Sequence, residues 1–97
     1  MTRLADAALW VAENADLIEV ESLVTVYLAP WRPGVSVHFG DFADASALAE
    51  RVGIRMPDSK PETINGTRYL SSEVTVDIPH DDDEISVRVL YMRQVTP

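Results

Sequence analysis

The 97-residue chain has no cysteine, a single lysine (Lys60) and four glycines. Without thiols there are no disulfides, no thiolate nucleophile and no cysteine-based zinc site. No apolar run approaches the roughly 18 residues a membrane helix needs. The first residues, "MTRLADAALWVAENAD", carry Asp6, Glu13 and Asp16, unlike the basic start and unbroken apolar stretch of a signal peptide. Positive charge is also scarce. Eight Lys and Arg face 16 acids, for a net charge of −8, which argues against direct contact with nucleic acid or anionic lipid. There is no phosphate-binding G-x-x-x-x-G-K-[ST] loop and no G-x-G-x-x-G fingerprint, so no cofactor is expected. The expected compartment is the cytoplasm, and the charge leaves room for a basic protein partner.

What is present is globular in character. Hydrophobic residues make up 46% and charged residues 25%, enough apolar surface for one small domain spanning 1–97. Leu4, Ala8 and Val11, widened by Ala5, Leu9 and Ala12, predict a helix over about 3–14 capped by Thr2, with Trp10 at the rim of the stripe. "DLIEVE" (16–21) fits a loop, a helical turn or an early strand. The period then drops to two: Val24, Val26 and Leu28 oppose Thr25 and Tyr27, and Val35, Val37 and Phe39 oppose Ser36 and His38. "PWRPG" between them, with Pro33-Gly34 suited to a type II turn, predicts a hairpin. A second helix is predicted within 40–53. Asp41 is its N-cap, Ala45, Leu48, Ala49 and Val52 form its apolar stripe, and Gly53 is its left-handed stop. Pro57, Asp58, Ser59, Lys60 and Pro61 predict a loop over 54–61, and Asn65-Gly66 is a local hairpin signal. Val74, Val76 and Ile78, then Ile85, Val87, Val89 and Tyr91, predict two further strands. The expected fold is α+β, in two layers: a four-stranded, mainly antiparallel sheet with two helices on one face, in helix–hairpin–helix–hairpin order.

"IPHDDDEISV" (78–87) gathers a histidine and four consecutive acids. The plain reading is a turn bearing a solvated charge cluster, since Asp side chains bond nearby backbone N–H groups. Pairing Val76 with Val89 and Ile78 with Val87 would set Asp77 opposite Arg88 and leave a loop of Asp81 to Glu84. As a calcium site the run lacks alternating acids and a central glycine. As a transition-metal site it lacks a second well-placed imidazole, so no metal is expected. Mimicry of nucleic-acid phosphate would need these acids to join others over a surface.

The polar face of the sheet should display Tyr27, His38, Asp77 and Arg88 among Ser and Thr. Ser36, His38 and Asp77 can be written as a nucleophile set, but no strained nucleophile elbow accompanies them. Trp31, between Pro30 and Pro33, either folds back over the sheet edge or helix end or stands out as a contact residue.

The run "TVYLAPWRPGVSVHFGDFADASALAERVG" resembles small uncharacterised accessory proteins of high-GC Gram-positive bacteria and their phages, in which an alternating hairpin leads through a Gly-Asp link into an Ala/Leu helix ending in Gly. That resemblance implies a cytoplasmic accessory role and carries no catalytic residue across. The leading expectation is a non-enzymatic protein–protein interaction module of accessory or inhibitor type. Tyr27, Trp31, His38, Asp77, Arg88 and the acidic turn Asp81, Asp82, Asp83 and Glu84 would meet a protein partner, which the charge allows to be basic. The alternatives are a small enzyme or ligand binder on the polar face, and a protein that self-associates through a sheet edge.

Overall fold

A computed structural model of the chain describes residues 3–29, 31, 34–80 and 83–95, without the side chains of Arg3, His80 and Asp83. The Thr2 cap, Pro30, the Pro33 half of the first turn, Asp81 and Asp82 lie outside the described residues, as do the expected roles of the His80 and Asp83 side chains. Along the chain run α1 (Arg3–Glu13), α2 (Ala15–Ile18), β1 (Leu23–Leu28), β2 (Val35–Phe39), α3 (Phe42–Arg51), β3 (Lys60–Ile64), β4 (Thr67–His80) and β5 (Asp83–Gln94).

The architecture is α+β, as the change of hydrophobic period implies, but its details correct the expectation. The sheet has five strands and is mixed, and three helices are present among the described residues. Strand order is β1-β2-β5-β4-β3. β1/β2, β4/β5 and β3/β4 are antiparallel, whereas β2 and β5 run parallel. The parallel pair arises because α3 carries the chain away from β2, the β3–β4 hairpin forms the far edge, and β5 returns to the centre. Local alternation carries no information about this long-range pairing. The fifth strand begins inside the stretch expected to be a loop. "DLIEVE" resolves in part into the short helix α2.

Local signals act where they were read. The Asp41 carboxylate accepts from the N–H of Ala43 at 2.7 Å and of Asp44 at 3.4 Å, capping α3. Gly53, at φ +87°, ends that helix in a Schellman arrangement: Gly53 N–H donates to Glu50 O and Ile54 N–H to Ala49 O. Asn65 (φ 50°) and Gly66 (φ 80°) are both left-handed, as the two-residue turn between β3 and β4 requires.

One face of the sheet holds the core. Val35, Val37, Phe39, Ile85, Val87, Val89 and Tyr91 pack under Ala7, Trp10, Ile18, Ala45, Leu48 and Ala49 from the helices. Phe42 meets Tyr91 edge-on at 5.5 Å between ring centroids. Each large side chain fully withdrawn here contributes about 1.5–3 kcal/mol.

Two expectations about this core are corrected. α1 does not bury the stripe of Leu4, Ala5, Ala8, Leu9 and Ala12, which faces outward with Leu4 and Leu9 nearly half exposed; Val11 is half-buried at its margin. It buries Asp6, Ala7, Trp10 and Asn14. The helix is apolar on most of its circumference, and Trp10 is its largest apolar group, so the rotation that buries Trp10 prevails. Asn14, also buried, donates from Nδ2 to the Trp10 carbonyl at 2.9 Å. In β1, Val24 does not share the inner face with Val26 and Leu28. A bulge between Leu23 and Thr25 breaks the alternation and leaves Val24 59% exposed.

Candidate functional site

Because the helices occupy one face, the opposite face of the sheet is open, and strand register fixes what it presents. Tyr27, Ser36, Arg88 and Thr75 form one row across β1, β2, β5 and β4. The next row is Thr25, His38, Leu90 and Glu73. Beyond it Met92 lies opposite Ser71, which pairs with Lys60, and on the other side Ser86 lies opposite Asp77.

The register of β4 on β5 is displaced by two residues from expectation. Val76 pairs with Val87 and Ile78 with Ile85, so Thr75, not Asp77, lies opposite Arg88, and the pairing runs on to His80–Asp83, inside the stretch expected to be a loop. A two-residue slip leaves every side chain on its own face, so the alternation could not detect it. The charge partner of Arg88 is Glu73, on the diagonal. Arg88 Nε (2.9 Å) and Nη2 (2.5 Å) both donate to Glu73 Oε2. Both side chains are substantially exposed, so the pair adds at most about 1 kcal/mol.

His38 is half-buried between Thr25 and Leu90. Burial holds its imidazole below the usual range, opposed by a hydrogen bond with the Met92 backbone and reinforced by the Arg88 charge. Its Nε2 is enclosed and meets no hydrogen-bond partner among the described residues. The ring is therefore a neutral, packed element of this face at pH 7.

Ser36, His38 and Asp77 are not assembled into a nucleophile set. Asp77 is two strands and four residue steps from His38, roughly 16 Å at ordinary sheet spacings. Among the described residues no cluster of His, Asp and Glu is arranged to hold a metal ion. Glu84, at the start of β5, lines a narrow crevice with Trp31, Gly34 and Asp6. Trp31 is 62% exposed, so of its two readings the outward one describes its position.

Three members of this face drew little or no attention in the sequence. Leu90 and Met92 are half-buried apolar side chains at its centre, and Glu73 ties down Arg88. Continuing the alternation of "ISVRVLYM" through its last residue reveals the first two. With Glu62 and Ser71 these residues line a shallow hollow of about 320 Å³. Ser71 Oγ donates to Glu62 Oε2 at 2.8 Å across its floor.

The fold and this face define a two-layer α+β domain with a half-open sheet. Comparison with protein families, curated proteins and solved structures found no match to the chain. No helix among the described residues is long and apolar enough to cross a membrane.

Proposed function

We propose that the chain is a non-enzymatic protein-binding module that engages its partner through the helix-free face of the sheet. The observation that supports this most is the composition of that face. Leu90 and Met92 sit at its centre, Tyr27, His38 and Arg88 surround them, and Glu62, Glu73 and Asp77 line the β3–β4 side. An apolar middle with aromatic and Arg anchors and a charged rim is the usual anatomy of a protein contact surface. The acidic rim and the net charge of −8 favour a partner with a basic surface.

The test is a titration of isotope-labelled protein with a partner captured from lysate, followed by amide NMR. Shifts should concentrate on β2, β5 and the open-face residues of β4. Leu90→Glu should reduce affinity at least tenfold while Leu9→Ser, on the outer side of α1, leaves it unchanged. Shifts confined to the helices, or binding indifferent to Leu90→Glu, would remove the reading.

A further inference from the structure

The far ends of β4 and β5 carry a second exposed surface, on the helix side of the sheet. Leu70 and Arg93 are paired across the ladder, and the Val95 N–H donates to the Arg68 carbonyl at 2.9 Å, so Arg68, Leu70, Arg93 and Val95 form one patch. They continue the face of Ser72 and Tyr91 past the helical layer: Arg68, Arg93 and Val95 are exposed and Leu70 is half-buried. Pro61 and Thr63 of β3, opposite Leu70 and Arg68, extend the patch, while Glu62 between them faces the other side. Leu70, Arg93, Gln94 and Val95 line a shallow hollow of about 380 Å³, with Arg68 beside Val95 at its margin.

The charge of this patch is unlike that of the rest of the chain, where 16 acids outnumber eight Lys and Arg. Arg51 is paired with Asp16 and Arg88 with Glu73, yet among the described residues Arg68 and Arg93 have no carboxylate within ion-pair reach. The two arginines stand at diagonal positions on adjacent strands, roughly 7–8 Å apart at the backbone, where like charges repel. Leu70 and Val95 occupy the other diagonal. We propose that this patch binds an acidic segment of a protein partner, of the pattern acid-x-apolar-x-acid. Residues two apart in an extended segment share a face. Laid along the arginine diagonal, such a segment sets its apolar side chain over Leu70 and Val95 and brings a carboxylate to each guanidinium. Guanidinium–carboxylate bonds are charge-assisted and suit bidentate geometry. Charge selects a short segment over a polyanion. The net charge of −8 repels nucleic acid and anionic lipid far more than two arginines attract them, and a second copy of the chain meets the same repulsion. A small free oxyanion would leave Leu70 and Val95 uncovered. Both guanidiniums are exposed, so binding is weak, with Kd on the order of 1 mM. The patch lies on the opposite side of the sheet from the contact surface of the proposed module, and either reading can fail alone.

Amide NMR of the labelled full chain, titrated with the blocked peptide Glu-Thr-Leu-Thr-Glu, tests this. Saturable shifts should centre on Arg68, Leu70, Arg93 and Val95, and binding should weaken in high salt. Arg68→Gln and Arg93→Gln should each weaken it about tenfold, because each removes a charge-assisted pair. Lys60→Gln, on the open face, should leave it unchanged. The blocked peptide Gln-Thr-Leu-Thr-Gln and inorganic phosphate should each bind about tenfold more weakly or less. If one arginine variant fails to fold, the other decides. No saturable shift up to about ten times that Kd, shifts centred on another surface, binding indifferent to the folded arginine variants, or equal binding of the glutamine peptide or of phosphate would overturn the proposal.

Discussion

β1 and β3 are both edge strands, of six and five residues, yet the molecule treats them in opposite ways. β1 lies beside β2, whose Val35, Val37 and Phe39 are fully buried, and its own Val26 and Leu28 pack against that core. β3 has no helix over it. All five of its residues are exposed, and it is held to β4 by the ladder from Lys60–Ser71 to Ile64–Thr67 and the left-handed Asn65-Gly66 turn. An edge secured by burial can leave its strand free of charge and proline. An edge secured only by a hairpin is exposed to water and to other chains, and carries the residues that keep other strands away. The molecule is accordingly elongated, 47 × 24 × 21 Å, with β3 and the adjoining parts of β4 and β5 extending beyond the helical layer.

That contrast can be broken by substitution. The largest effect is expected at the β1 side. Phe39→Ala should cost about 3–5 kcal/mol, through lost transfer energy and the cavity left behind. Ile64→Ala on β3, already 39% exposed, should cost less than about 1 kcal/mol. Urea denaturation measures both, and equal losses would erase the distinction. Next comes the turn that secures β3. Gly66→Ala forces a Cβ into φ +80° and should cost roughly 1 kcal/mol. Hydrogen exchange should show protection falling in β3 and the facing part of β4 while β1 and β2 are unchanged.

A smaller effect is expected from Glu73→Gln, which removes the exposed partner of Arg88. The loss should be under about 1 kcal/mol and should shrink further in high salt, as paired urea titrations would show. The smallest is a pH dependence on the β2 side. The folded-state pKa of His38 is lowered, so the unfolded chain binds the proton more readily. The stability that His38 contributes is therefore present above its unfolded value of 6.5 and declines as pH falls through that value toward the lower folded one. Denaturation midpoints at pH 7.5 and 5.5 should differ less in His38→Gln than in the wild type.

Several elements were legible because their determinants are local. Asp41 caps α3 because a carboxylate bonds the free N–H groups of the first turn wherever the helix lies. Gly53 and Gly66 take left-handed backbone that disfavours any Cβ. The open-face placement of Tyr27, His38, Asp77 and Arg88 followed from alternation alone, with Val24 lost to a bulge that no pattern announces. The pairing of Arg88 with Glu73 was not legible, because a register displaced by two residues satisfies the same alternation. Nor was the buried side of α1, whose Leu4–Leu9 stripe and Trp10–Ala7 stripe are both apolar enough to face a core.

The amino-acid order by itself determined where α3 starts and stops, where the β3–β4 turn falls and, away from the β1 bulge, which side chains of each strand share a face. Those are properties of single residues and their near neighbours: capping, φ preference and a period of two. Only the tertiary structure decided that β5 lies between β2 and β4, which face of α1 is covered, and that one edge of the sheet is bare while the other is guarded. These depend on apolar surface from distant segments competing for one shared interior, and that competition is settled only when the whole chain is packed.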